Sequence, residues 1–229
     1  KYMKEFNEIV QKIDFLSSSH DVSLSNKLIL IQQDLCDNFN FDSLDAYNFF
    51  SNIYNVLHQS ADFKSNLING CIDVLLKSTS SRNKSLLKAI SYINFLPAII
   101  KLILTMNEEN EEKLIKLLTL IKNQLRTTVD LDEHNTKLII ELLRDYVENS
   151  SNENVSKLSL NILSNLTMKN KTAKYHVKRI IKTFGLNNKI DKSSDLVAAK
   201  FLAVIAGEIS SMDFPHLMTL SFKSILDGI

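Results

Sequence analysis

Apolar residues recur along this chain at helical spacing almost from end to end. Phe6, Ile9, Val10, Ile13 and Leu16 fall at intervals of three and four, as do Leu24, Leu28, Ile31 and Leu35. Tyr47, Phe50, Ile53, Tyr54 and Leu57 do the same. That period places them on one face of a helix and predicts an amphipathic α-helix for each run. Further helices are predicted over residues 63–76, 86–93 and from Pro97 onward, where a proline in the first turn forfeits no hydrogen bond. The pattern continues over residues 109–126, 135–148, 153–168, 172–184, 194–210 and 215–226. Ser23, Asp42, Asp62, Ser194 and Asp213 stand as candidate N-caps, because a short polar side chain can accept from an otherwise orphaned helix N–H. The connectors are short and polar, with no alternating strand pattern between them. The fold class read from this is all-α.

About a dozen helices are many for the core of one bundle and suit stacked repeats. The internal repeat sharpens that choice. Residues 115–121 (Ile-Lys-Leu-Leu-Thr-Leu-Ile) align with 160–166 (Leu-Asn-Ile-Leu-Ser-Asn-Leu), and 202–207 (Leu-Ala-Val-Ile-Ala-Gly) follow at a similar interval. Intervals of ~42–45 residues belong to the armadillo/HEAT range. The alignment puts Leu118, Leu163 and Ile205 at equivalent buried positions. No linker divides the chain, so residues 1–229 are read as one helical-repeat domain. The chain opens at Lys1 without Met and is expected to be a piece of a longer protein.

The helix at 160–167 resembles the third helix of an armadillo repeat, which often ends Leu-Ser-Asn-Leu. Residues 95–103 (Phe-Leu-Pro-Ala-Ile-Ile-Lys-Leu-Ile) resemble the second helix. The family's glycine before it is absent: Ile93, Asn94 and Phe95 stand there, and Asn94 is expected to make the bend, since Asn tolerates the left-handed conformation. The clear motifs cover residues 85–210, while residues 1–80 match no repeat consensus well. The resemblance implies an armadillo-like right-handed α-solenoid of about twelve helices. A narrower resemblance links Tyr92–Phe95, then residues 138–147, 158–167 and 171–179, to the N-terminal armadillo domain of the cancerous inhibitor of protein phosphatase 2A family. It implies a homodimerising scaffold that regulates a phosphatase and tethers broken chromosomes in mitosis through a BRCT-repeat partner.

In peptide-binding armadillo proteins such as importin-α and β-catenin, the third helix carries Trp and Asn four residues apart, facing a concave groove. The equivalent pairs here are Asn161 and Asn165, Lys116 and Leu120, and Ala203 and Gly207. Lys116, Leu120, Asn161 and Asn165 are therefore expected to line a protein-binding groove. The chain has no Trp, which argues against importin-like recognition of nuclear-localisation signals.

Composition narrows the chemistry. Only four glycines occur, each alone, so no glycine-rich phosphate cradle is available. No His lies three or four residues from another His or a Cys, so zinc-ligand spacing is missing. Ser19, His20 and Asp21 hold the residue types of a catalytic triad, but adjacent residues cannot form one by themselves. Cys36 and Cys71 sit on apolar faces and read as structural thiols of a reducing compartment. No catalytic, cofactor or metal site is expected, and no apolar stretch reaches the ~20 residues that span a bilayer. The expected setting is cytoplasmic or nuclear.

Two charge features remain. Glu108, Glu109, Glu111 and Glu112 open a helix, where carboxylates are favoured by the helix dipole. Lys171, Lys174, Lys178 and Lys182 form a stripe on one helix face. The stripe is either a solvated face or a contact for an anionic partner, an acidic or phosphorylated protein segment in preference to nucleic acid. With a net charge of +1, the chain lacks the basic excess usual in duplex binders. The last helix is apolar around its circumference: Leu217, Met218, Phe222 and Ile225 are expected to pair with a second copy, giving a homodimer. The functional expectation is a non-catalytic protein–protein interaction scaffold.

Overall fold

The computed structural model describes residues 1–11, 21–35, 42–59, 65–106, 110–126, 131–173 and 175–176. Helices and short connectors make up the described residues, with no strand among them. The described residues hold nine helices: α1 Tyr2–Val10, α2 Asp21–Asp34, α3 Ser43–Gln59, α4 Asn66–Ser80, α5 Lys84–Ser91, α6 Leu96–Thr105, α7 Glu111–Arg126, α8 Glu133–Asn149 and α9 Glu153–Lys169. Although the sequence offers no linker, the chain clusters into two compact units, Lys1–Val129 and Asp130–Ile229.

The first unit holds α1 to α7, and its helices pack in an alternating order. One layer runs α1, α3, then α5 with α6; the other runs α2, α4, α7. Each helix packs on the next member of its own layer, and α1–α2, α3–α4 and α6–α7 also pair across the layers. The core lies between the layers. Phe6 meets Phe49 edge-on with centroids 5.1 Å apart, and Phe49 meets Phe50 at 5.2 Å. Leu24, Leu28 and Ile31 of α2, Ile68 and Ile72 of α4, and Leu117, Leu118 and Ile121 of α7 are all buried. Each such side chain contributes about 1.5–3 kcal/mol by leaving water. Gly70 lets α2 and α4 approach closely, since a Cβ there would lie 3.0 Å from Leu28 Cδ1.

Polar contacts repeat with the period of the layers. Asn52 Nδ2 donates to Asn7 Oδ1 at 2.8 Å, across 45 residues. Lys77 Nζ donates to the Gln32 carbonyl across 45 residues, and Lys101 Nζ to the His58 carbonyl across 43. Lys116 Nζ donates to Asp73 Oδ1 across 43 residues, and Asn123 Nδ2 to Thr79 Oγ1 across 44. The interval read from residues 115–207 thus also governs residues 1–80, where no consensus is visible. These bonds join corresponding heights of neighbouring helices, so the helices within a layer run parallel.

The ends of the helices follow local chemistry. Asp42 caps α3 as expected, its Oδ1 accepting from the N–H of Leu44 at 2.8 Å and of Asp45 at 3.1 Å. Ser23 lies inside α2 and is no cap. Asp62 lies outside the described residues, and α4 is capped instead by Ser65, which accepts from Ile68 N–H. Asn83 and Asn152 cap α5 and α9, and Asp132 caps α8. Ser194 and Asp213 lie outside the described residues.

The bend expected at Asn94 is present. The axes of α5 and α6 meet at 74°. Asn94 holds the corner by its side chain, Oδ1 accepting from Leu96 N–H at 3.1 Å. Pro97 occupies the first turn of α6, where its missing N–H has no partner to lose.

In the second unit α8 packs on α9. Ile139, Ile140, Leu143 and Val147 bury against a face of α9 that includes Val155, Ile162, Leu163 and Leu166. Of the three aligned leucine and isoleucine positions, Leu118 and Leu163 are buried, and Ile205 lies outside the described residues.

Candidate functional site

In the first unit α4 and α7 of the α2–α4–α7 layer enclose a polar cavity. Asn69 and Asp73 of α4 face the N-terminal end of α7 across a cavity of about 310 Å³. Asn110, Glu112, Lys113 and Lys116 form its other wall, and Ile72 supplies an apolar patch. Asn110 Oδ1 accepts from Lys113 N–H at 3.1 Å and so satisfies one of the helix's orphan donors. Glu111 and Glu112 lie in the first turn of α7, as the dipole argument expects; Glu108 and Glu109 lie outside the described residues.

Lys116 is the centre of this wall. Its Nζ lies 3.0 Å from Asp73 Oδ1 and 3.5 Å from Glu112 Oε1. The Asp73 hydrogen bond is the main cause that raises the Lys116 pKa, partly opposed by burial. Lys113, one turn earlier, is only 6% exposed. The result is a mixed-sign rim with two carboxylates and two ammonium groups beside amide donors and acceptors.

Leu120 was expected next to Lys116 in a groove, and it is only 2% exposed. Four residues carry a side chain about 40° past its starting direction on a helix, and on α7 that rotation turns Leu120 into the core. Leu120 is therefore a packing residue. Asp73, which sequence reasoning passed over, stands 43 residues before Lys116, so extending the repeat interval backwards from α7 would have found it.

Asn161 and Asn165 lie in the second unit, on α9. Both are half-buried, and Asn165 Nδ2 donates to Asn161 Oδ1 at 3.0 Å. Lys171 is exposed just beyond α9. Lys174, Lys178 and Lys182, and the dimerisation candidates Leu217, Met218, Phe222 and Ile225, lie outside the described residues. The structure thus describes the groove candidates and one member of the basic stripe.

Other chemistry is sparse in the described part. Cys71 is fully buried in α4, and burial pushes its thiol pKa far up, away from the reactive thiolate. Cys36 lies outside the described residues. Among the described residues no group of three or more His, Cys, Asp and Glu could hold a metal ion. No single described helix is long and apolar enough to cross a membrane.

Neither a protein-family model nor a curated protein matches the sequence. Among solved structures the chain is similar to a crystal structure described as an engineered protein, a Northeast Structural Genomics Consortium target. The two share 14% sequence identity, with a TM-score of 0.56 over 97% of this chain and 96% of that one. At that identity the likeness speaks for the all-helical fold alone.

Proposed function

We propose that this chain is an armadillo-like right-handed solenoid that serves as a non-catalytic scaffold for other proteins. The observation that carries the reading is the ladder of polar contacts in the first unit, spaced 43 to 45 residues apart. That spacing belongs to armadillo and HEAT repeats, whose stacked helices make extended surfaces suited to protein partners. The rim around Lys116 favours a protein partner over nucleic acid. Asp73 and Glu112 flank the only cation-rich turn of the cavity, and paired carboxylates repel a phosphate backbone. A polypeptide segment can present both charge signs and backbone amides to the same rim.

The test uses a charge swap. The immobilised 229-residue chain captures partners from a lysate, identified by mass spectrometry, alongside Asp73→Lys, Lys116→Asp and the double variant. Each single variant leaves like charges facing each other and is expected to lose the wild-type protein partners. The double variant restores the ion pair and so the fold, but reverses the rim's polarity, and it is expected to lose those partners too. Retention of every partner by the double variant, or capture that disappears with nuclease treatment, would overturn the reading.

A further inference from the structure

The last carbonyls of a helix have no partner within it, and they carry the negative end of the helix dipole. Usually a nearby side chain of the same helix or water meets them. In the first unit two of these ends are met by a lysine from the following pair of helices. Gln32 lies two residues before the end of α2, which has no basic residue in its last turn. Its carbonyl accepts from Lys77 Nζ of α4. Lys77 is also the basic residue in the last turn of α4 itself. Its ammonium group thus leaves its own helix end and meets the carbonyl end of the parallel helix before it in the same layer. In the other layer, Lys101 Nζ of α6 donates to the carbonyl of His58, the penultimate residue of α3, at 2.6 Å.

Both lysines are exposed, so hydrophobic burial does not dictate their identity. Their reach backwards is the same, 45 and 43 residues. We propose that Lys77 and Lys101 are charge clamps that fix the stacking of each helix pair on the one before it, and that neutralising either ammonium loosens that junction. The fold would then hold an accessible control point in each layer: loss of a positive charge at Lys77 loosens the α2–α4 junction, and loss at Lys101 the α3–α6 junction. This inference rests on the packing of the helices and is independent of what that face binds.

Hydrogen exchange followed by mass spectrometry on the full chain tests it. Lys77→Gln should speed exchange of the amides in the last turn of α2, and Lys101→Gln those in the last turn of α3. An increase of about two- to fivefold is expected from the usual strength of a cation at a helix C-terminus. Each effect should be confined to its own junction. Lys77→Arg and Lys101→Arg keep the charge and should exchange like the wild type. Unchanged exchange in the Gln variants would overturn the proposal. So would equal acceleration in Gln and Arg variants, which would assign the effect to the lysine's packing and not to its charge. Because no partner is present in this measurement, its failure leaves the scaffold reading untouched, and failure of the charge-swap capture leaves the clamps untouched.

Discussion

Helix α3 and the α5–α6 pair occupy neighbouring places in one layer of the first unit, yet they are built differently. Helix α3 runs unbroken for 17 residues, with Ser51 and Asn52 at its middle and no proline or glycine. The α5–α6 pair covers the equivalent path with 8 and 10 residues joined at a 74° corner. Asn94 and Pro97 account for the corner: one side chain substitutes for a helix acceptor at Leu96 N–H, and the other lacks an N–H altogether. Both versions pack against the second layer and both receive or send polar bonds 43 to 45 residues away. A place in the stack is thus set by the buried face and the bridging bonds, and the backbone route through it is a local matter of breakers and caps.

The strongest way to break that comparison is to remove the buried face. Phe49→Ala empties a fully buried ring that touches both Phe6 and Phe50, and it should cost about 3–5 kcal/mol. Leu118→Ala, in α7, and Leu163→Ala, its aligned position in the second unit, should each cost about 2–5 kcal/mol. Urea unfolding followed by circular dichroism measures all three. A Phe49→Ala variant that unfolds at the wild-type midpoint would show that the unbroken helix is not held by its core.

The corner gives a smaller and sharper test. Asn94→Ala removes the acceptor for Leu96 N–H and should cost about 0.5–2 kcal/mol, as loss of an N-cap does. Asn94→Asp keeps an acceptor at the same place and should recover most of that loss. If Asn94→Ala is neutral while Lys101→Gln is not, the bridging bonds and not the cap hold the corner in position.

The response to acid is the least of these effects. Near the starts of α8 and α9, three exposed carboxylates are held below their ordinary pKa. Asp132 is lowered from 3.8 chiefly by the N–H of Asn135, while Glu133 and Glu153 are lowered from 4.5 chiefly by Lys137 and Lys157. In the first unit Glu5 is lowered likewise, chiefly by its hydrogen bond with Lys27. A depressed folded pKa means the contribution is complete above the ordinary value and is lost as pH falls through the depressed one. The helicity of the second unit should therefore decline as pH drops below about 4, more at low salt than at high. Asp132→Asn caps without titrating and should flatten part of that decline, read by circular dichroism against pH.

Much of this architecture was legible in the residue pattern. The 3.6-residue period located the helices because each must bury one stripe, and Asp42 declared itself as a cap by standing just ahead of such a run. Leu120 misled because a four-residue step leaves a side chain near enough to the same face to seem equivalent, and only the position of the neighbouring helix decides whether it turns inward. Asn7, Asp73, Thr79 and Lys77 carried no signal within their own helices. Their partners are a full repeat away, so only an alignment at the repeat interval brings such polar residues together. Ser78, Ser159 and Ser164 were equally silent: they are buried hydroxyls with no hydrogen-bond partner, present where helices pack on every side and a small side chain fits.

The constancy of those long-range bonds bears on how such a chain folds. A contact between distant residues must first close a loop, at an entropic cost that grows with the logarithm of loop length. In the first unit five bridging bonds close loops of nearly one size, 43 to 45 residues. Each added pair of helices meets the same closure cost as the last, whatever the length already assembled. Contact order, the ratio that slows folding when it is high, therefore falls as pairs are added. Assembly of the first unit becomes a series of equal short searches, each begun on the surface left by the one before.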